Sequence, residues 1–402
     1  MPPRRLSVRF ESPAAEWPRR LAARLWQPPA PFAGDLELDR FRAHSEFYRR
    51  RLQRVGSWES APALERDELE QVPLAASATK ISFATSSGTS GRRVRIANDR
   101  VEWRLRLLML YRPYAVYRRL PSEVRQVILV DIPPEHENRA PDLVRIGDRR
   151  YRRWTLSGRA APWAQWQRLA AIGPHLLTGF PSGMMRLADE FGPQLRRLRL
   201  RVLSPAGEHL TRSWRKTLES AFGAPLYDRY GATECGAIAW QCPECDAYHA
   251  NADELVIEPQ GSRGTLVTPL YLTTQPILRY RLEDQVEWQE GSRGCRVALP
   301  ALCIVAARRD DCLYDGADRR VAPLAFQFER FDFIRRWSID QRPGGTIRLH
   351  LVTARPPSPD EIEGAVAETR AVVPGRPIEV VLGAPAWDGK FKRVRCRYSP
   401  DG

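Results

Sequence analysis

Between Ile81 and Phe222 short apolar runs alternate with helix-patterned stretches, and this alternation limits what the chain can fold into more than any other feature. The runs ISFA (81–84), QVILVDI (126–132) and HLLTGF (175–180) read as strands, and LRLRVLSPAGEHL adds a strand and a turn. Helical patterns follow in PSGMMRLADEF and TRSWRKTLESAF. Strands that alternate with helices predict an α/β domain around a largely parallel sheet. Ahead of it, LDRFRAHSEFYRRRLQRV places Leu38, Phe41, His44, Phe47, Tyr48 and Leu52 at three- and four-residue spacing, so residues 1–80 are expected to be mostly helical.

From about Tyr227 the pattern turns β-rich, in ELVIE, GTLVTPL, ILRYRL and QVEW. A boundary is expected near Arg308, giving a large domain over 1–307 and a small α+β domain over 308–402. In the latter, RRWSIDQ, TIRLHLVTA and PIEVVLG read as strands. A helix begins at Ser358-Pro359-Asp360-Glu361, with Ser as N-cap and Pro in the first turn. A chain of 402 residues is long enough for two or three cores.

Composition removes several functional classes. There is no run of eighteen apolar residues, mean hydropathy is −0.45, and no apolar stretch precedes Glu11, so neither a membrane span nor a secretory leader is expected and the cytoplasm is the default. The net charge of +15 raises nucleic acid as a partner. Against it, the arginines are scattered, lysine is confined to Lys80, Lys216, Lys390 and Lys392, and no aromatic-interleaved motif appears. A nucleic-acid partner is therefore not expected.

Five segments carry chemistry. Thr85-Ser86-Ser87-Gly88-Thr89-Ser90-Gly91 follows a strand, and small hydroxyl residues with glycines suit a polyphosphate: backbone N–H groups and hydroxyls meet the anion. No GK[ST] follows, so this is not the kinase P-loop. A flexible Ser/Gly linker would have no reason to follow a buried strand. Tyr230-Gly231-Ala232-Thr233-Glu234 offers an aromatic face for a purine, a hydroxyl for phosphate and a carboxylate for Mg²⁺, although alone it could be a turn. In Arg279–Asp284 a carboxylate closes a strand, suited to ribose hydroxyls or to solvent. Ala306–Asp311 lies at the expected boundary, and Trp387-Asp388-Gly389-Lys390-Phe391-Lys392 near the C-terminus.

Taken in order, these segments resemble the adenylate-forming superfamily of acyl-CoA synthetases, adenylation domains and luciferases. The similarity is greatest to its phenylacetate–CoA ligase and coenzyme F390 synthetase branch, through SSGTSG, DRYGATE, HANADELVIE, TLVTPLYLTTQPILRYRLED and RRDD. The resemblance implies ATP-dependent activation of a carboxylic acid, aromatic by analogy with the branch, as an acyl-adenylate, then transfer to a thiol, foremost coenzyme A. It implies phosphate contacts from Thr85, Ser86, Ser87, Gly88, Thr89 and Gly91, and adenine packing on Tyr230. Thr233 would meet the α-phosphate and Glu234 would ligate Mg²⁺. Asp284 would hold the ribose, Arg308 ribose or phosphate, and Asp310 the hinge. Lys390 would be the catalytic lysine, with Lys392 as fallback. The small domain would rotate between the two half-reactions. Departures from the family pattern are Arg93 for proline, Val94 for lysine, Glu283 for glycine before Asp284, and Ala307 for glycine. Gly179, Phe180, Pro181, Ser182 and Ala206 to Glu208 are expected to wall the acid pocket. Alternative readings are transfer to a carrier protein or an amine, AMP transfer to a hydroxyl, and a non-catalytic nucleotide or nucleic-acid binder. Dimers are common in the branch.

Cysteine adds an independent feature. Six of the seven fall between Cys235 and Cys312. Cys242-Pro-Glu-Cys245 with His249 four residues on, and Cys295 later, supply the ligands of a closed structural Zn²⁺ site. Ordinary unmetallated cysteines are the competing reading. Cys303, in the apolar run ALCIVAA, is expected to be a buried core thiol.

Overall fold

The computed structural model describes residues 34–75, 80–85, 94–117, 119–146, 148–208, 210–290, 294–306, 313–321, 326, 328–383 and 394–399. Two helices open it, α1 (Gly34–His44) and α2 (Glu46–Arg51), the second capped by Ser45. Leu38, Phe41, Tyr48 and Leu52 are buried, as their spacing predicts. Helix does not continue to residue 80, however: beyond Leu52 the described chain runs through turns and one short 3₁₀ turn at Leu69–Gln71. There the chain lies as a strap on the β-rich part, with Leu64 N donating to Arg279 O (3.1 Å) and Arg281 N to Leu64 O (3.0 Å).

Strands β1 (Ser82–Thr85) and β2 (Arg95–Asn98) pair antiparallel. The buried strand expected at ISFA is not found: only Ala84 of β1 is buried, and Phe83 is 43% exposed beneath the Arg95 guanidinium. A two-stranded ribbon covers one face at most, so an apolar run need not be core. Helix α3 (Arg100–Tyr111) follows, with a full capping box from Asp99 and Glu102. Short α4 (Pro113–Val116) extends it.

The α/β layer contains β3 (Glu123–Val130), β4 (Asp142–Ile146), β5 (Arg149–Ser157), α5 (Pro162–Ile172), β6 (Leu176–Gly179), α6 (Pro181–Phe191), β7 (Val202–Pro205) and α7 (Arg212–Phe222). Its strand order is β4-β5-β3-β6-β7, parallel except for β4–β5. One face packs Val127, Leu177 and Leu203 against Met184, Leu187, Trp214 and Leu218 of the helices. The other buries Tyr111, Tyr114, Tyr117 and Tyr151.

Eight strands then follow: β8 (Arg229–Ala232), β9 (Gly236–Gln241), β10 (Tyr248–Ala250), β11 (Leu255–Pro259), β12 (Thr265–Pro269), β13 (Tyr280–Leu282), β14 (Gln285–Gln289) and β15 (Ala301–Ala306). They form two antiparallel sheets, β14-β15-β10-β9-β8 and β11-β12-β13, sharing a core with α1 and α2. Cys303 is only partly buried, its thiol beside the Glu287 carbonyl, which corrects the core assignment. β15 lies between β14 and β10, but from Cys303 to Val305 its side chains are only partly covered, Val305 being 40% exposed.

The C-terminal part has its own core around Phe328, Phe333, Ile339, Leu349 and Ala365. A short pair, β16 (Leu313–Tyr314) with β17 (Arg320–Val321), precedes β18 (Ile334–Gln341), β19 (Ile347–Thr353), α8 (Pro359–Val372), β20 (Ile378–Leu382) and β21 (Val394–Cys396). The sheet order is β20-β19-β18-β21, with β18–β19 antiparallel and both outer pairs parallel. Ser358 caps α8 in a capping box with Glu361, at the residue the sequence marks. An ion pair, Arg336 to Asp189 at 2.8 Å, joins β18 to α6. The expected boundary at 307/308 falls outside the described residues. No helix among them is long and apolar enough to cross a membrane.

Candidate active site and metal centre

The site grows from the end of the parallel sheet. Beyond β6, Ala206 N donates to Gly179 O (2.9 Å), while Ser182 N and Oγ both donate to the Glu208 carboxylate (2.9 Å each). The two segments expected to wall the pocket are thus joined. Gly207 sits at φ +84°, which L side chains rarely adopt, and a Cβ there would lie 3.0 Å from the Phe180 ring. Ala206 bridges to Arg229, the first residue of β8. The carboxyl ends of parallel strands, where open α/β sheets bind ligands, therefore lead straight into the second motif.

That motif is the turn between β8 and β9. Three elements hold it. Glu102 anchors the start of α3 by accepting from Thr273 N (2.5 Å), Thr273 Oγ1 (2.9 Å) and Thr274 N (2.7 Å). One helical turn later on the same face, Arg106 donates to Thr233 O (2.5 Å) and to Tyr271 Oη (3.1 Å). Tyr271 Oη in turn donates to Cys235 O (3.2 Å). The hairpin closes tightly at Gly231, where a Cβ would lie 2.6 Å from Gly236 O.

Two hydrogen bonds then tie this turn to the third motif. Tyr230 Oη donates to Asp284 Oδ2 (3.1 Å), and Tyr280 Oη donates to Glu234 Oε1 (2.9 Å). Glu234, Asp284 and Tyr280 are all buried. Burial, then the Glu234 charge, pushes the Tyr280 phenol well above its ordinary range, so it remains the donor. Among the described residues the second Glu234 oxygen has no partner. A buried carboxylate with one oxygen tied and one available suits a hard cation such as Mg²⁺.

Of the expected nucleotide residues, Tyr230, Thr233, Glu234 and Asp284 come together, and Thr85 is described at the exposed end of β1. Ser86, Ser87, Gly88, Thr89, Gly91, Arg308, Asp310 and Lys390 lie outside the described residues. Sequence reasoning missed Arg106, Tyr271 and Tyr280. Tyr280 stands within Arg279–Asp284 and Tyr271 within TLVTPLYLTTQPILRYRLED, whereas Arg106 carries no local signal.

At the far end of β9 the four metal-ligand candidates converge. The ligand atoms of Cys242, Cys245, His249 and Cys295 all lie within 4.8 Å of one another. His249 Nε2 is 3.4 Å from Cys245 Sγ and 3.3 Å from Cys295 Sγ. His249 Nδ1 faces Leu299 O at 2.7 Å, which sets the tautomer and aims Nε2 at the thiols. A tetrahedral Zn²⁺ with sulfur at about 2.3 Å needs ligand separations of roughly 3.5–4 Å. The cluster's separations, 3.3 Å between His249 and Cys295 and at most 4.8 Å overall, bracket that range, and its ligand chemistry suits Zn²⁺. Burial, with the neighbouring thiols adding to it, pushes Cys242 up to about 12, so a metal would displace protons on entering. Val116, Trp240, Val297 and Leu299 pack behind it.

No family model and no curated protein matches the chain. Solved structures do. A 2-hydroxyisobutyryl-CoA ligase in the postadenylation state with R3-HIB-AMP aligns at TM-score 0.73 and 17% identity, over 97% of this chain and 91% of that one. An anthranilate CoA ligase with anthranoyl-AMP aligns at 0.54 and 15%, over 79% and 67%. The amide bond synthetase McbA from Marinactinospora thermotolerans aligns at 0.52 and 17%, over 77% and 66%. The chain therefore shares the fold of these solved CoA-ligase and amide-synthetase structures, over nearly its whole length in the first case.

Proposed function

We propose that this protein is an ATP-dependent carboxylate-activating ligase that forms an acyl-adenylate and passes the acyl group to a thiol, coenzyme A first among the candidates. The observation that carries the reading is the double tie between the two motifs, Tyr230 to Asp284 and Tyr280 to Glu234, at the carboxyl end of the parallel sheet. Similar folds holding acyl-AMP support it.

In the first half-reaction a carboxylate oxygen attacks the α-phosphorus in line. The bond to the bridging oxygen breaks, and pyrophosphate leaves with the electron pair. Carboxylate and triphosphate repel each other, so positive charge must face them. Lys390 is assigned to the developing charge, and Thr85, Ser86, Ser87, Gly88, Thr89 and Gly91 to the β- and γ-phosphates. Thr233 is assigned to the α-phosphate, Tyr230 to adenine, and Asp284 to ribose with Arg308 beside it. Glu234 would hold a Mg²⁺ ion, which would supply positive charge to the phosphates. In the second half-reaction the thiolate attacks the acyl carbonyl and AMP leaves. Domain rotation about Asp310 would separate the two steps, with the domains divided at 307/308. Cys242, Cys245, His249 and Cys295 would hold a structural Zn²⁺. Reduced thiols and this chemistry fit the cytoplasm, and the acid is taken as aromatic by analogy with the resembled branch. An amide synthetase of similar fold keeps an amine acceptor as the second reading, with a carrier-protein thiol as its variant.

The test is pyrophosphate release from Mg²⁺-ATP against a panel of aromatic and aliphatic acids, with and without coenzyme A. Acid-dependent release should fall at least about 100-fold in Lys390→Ala, the scale of losing one charge-stabilising group. Release unchanged by that substitution would remove Lys390 from the reaction. Thioester formation with coenzyme A supports the thiol acceptor, and release without thioester favours the amine or carrier.

A further inference from the structure

We propose that Tyr280 is a positioning residue for the metal-binding carboxylate of Glu234: its phenol holds one oxygen so that the other is presented to the cation that accompanies ATP. The inference rests on the ligase reading above and deepens it at one atom. Tyr280 lies on β13, in the sheet β11-β12-β13, whereas Glu234 lies in the β8–β9 turn of the other sheet. The bond from Tyr280 Oη to Glu234 Oε1, 2.9 Å long, therefore fixes a side chain and sets one sheet against the other at the point of metal contact. Both groups are buried, Tyr280 to 3% and Glu234 to 7% exposure, so water competes poorly for the bond.

The backbone of the turn is held separately. Arg106 holds Thr233 O and Tyr271 holds Cys235 O, so the main chain on both sides of Glu234 is fixed without Tyr280. What Tyr280 adds is the orientation of the carboxylate itself. Among the described residues it is the one donor to that group. Groups that orient a ligand from behind commonly change metal affinity 10- to 100-fold when removed.

The experiment compares wild type, Tyr280→Phe, Glu234→Gln and the double variant by two readouts. One is pyrophosphate release as a function of Mg²⁺ at saturating ATP and acid. The other is Mn²⁺ binding with a non-hydrolysable ATP analogue, followed by electron paramagnetic resonance, which needs no turnover. Tyr280→Phe should raise the half-saturating metal concentration about tenfold in both readouts, with the rate recovering at high metal. In the Glu234→Gln background it should add no further shift, the sign of coupling. Replacing Tyr280 by 4-aminophenylalanine, which returns a donor to the same place, should restore most of the affinity, and it serves as the readout if the phenylalanine variant does not fold. A Tyr280→Phe metal curve lying on the wild-type curve while Glu234→Gln shifts would overturn this inference alone. A rate loss that high metal does not restore would make Tyr280 structural and also overturn it. A Glu234→Gln curve lying on the wild-type curve would overturn the assignment of Glu234 itself.

Discussion

The two ends of strand β9 are built on opposite plans. At its start the Thr233–Cys235 turn is held by neutral or charge-assisted hydrogen bonds from Arg106, Tyr271 and Tyr280, each on a different element. At its finish Cys242 enters a cluster of three thiols and an imidazole whose atoms crowd within 4.8 Å. At the first end Tyr280 holds one oxygen of the buried Glu234 carboxylate, and the other has no partner among the described residues. At the second the ligand atoms, 3.3 Å apart for His249 and Cys295 and at most 4.8 Å overall, bracket the spacing of a tetrahedral ion. On the proposed reading one strand would carry both a site that takes a metal together with its substrate and a site in which a metal is part of the fold.

The largest effect is expected at the second end. Cys245→Ser should abolish binding of one Zn²⁺ per chain and the thiolate charge-transfer band of a Co²⁺-substituted protein. A metal held at 1,000 times its Kd contributes about 4 kcal/mol, or about 8 °C in Tm at about 2 °C per kcal/mol. The rate at saturating ATP and Mg²⁺ should change far less in the surviving folded fraction. An unchanged Tm with no zinc in the purified protein would show that the cluster folds as plain thiols, and the contrast between the two ends would collapse.

Legibility in the sequence divides along the same line. Three of the four candidate ligands lie within eight residues, so local spacing reveals them, and Cys295 follows as the next cysteine. Tyr230, Thr233 and Glu234 were legible as a motif. Their supports were not, because Arg106 is separated from Thr233 by 127 positions and Tyr280 from Glu234 by 46. The α/β alternation was readable where a strand holds an unbroken apolar run, as Val127–Val130 of β3, Leu176–Leu177 of β6 and Val202–Leu203 of β7 do. It failed at β5, whose four arginines, at positions 149, 150, 152 and 153, mask a strand pairing with both β3 and β4. The apolar look of β1 misled in the other direction, since a ribbon has no second layer to bury it.

Asp228 sits between the two ends and should give an intermediate effect through pH. Its carboxylate accepts from Tyr248 Oη (2.7 Å) and Arg229 N (2.8 Å), and its backbone N donates to Gln241 Oε1 (3.1 Å). Burial outweighs these bonds and raises the carboxyl from 3.8 to about 6. The folded chain therefore binds this proton more tightly than the unfolded chain does. The contribution to stability is fully present below pH 4 and is lost as pH rises through about 6, an effect on the order of 2–3 kcal/mol. Asp228→Asn should flatten that part of the curve in denaturant titrations between pH 4 and 7.5. A zinc ion in the cysteine cluster would titrate with the opposite sign, since acid protonates its ligands and releases metal. Chelated protein should therefore show the Asp228 slope undisguised. Identical slopes in wild type and Asp228→Asn would show that the carboxyl titrates alike in folded and unfolded chains.

The smallest effect is expected at the first end, in Tyr230→Phe. The substitution keeps the ring face assigned to adenine and removes only the hydroxyl that holds Asp284. Thr265 Oγ1 still donates to Asp284 O (2.7 Å), so the backbone there remains fixed and the carboxylate loses one tie. One hydrogen bond is worth about 1 kcal/mol, which corresponds to about a fivefold rise in KM for ATP with kcat nearly unchanged. With 2′-deoxy-ATP the ribose lacks one of the hydroxyls that Asp284 is assigned to hold, and the penalty of Tyr230→Phe should shrink. A penalty of the same size with both nucleotides would separate Tyr230 from ribose recognition. A fall in Tm comparable to that of Cys245→Ser would go further, because it would make the hydrogen-bonded end of β9 as structural as the cysteine end.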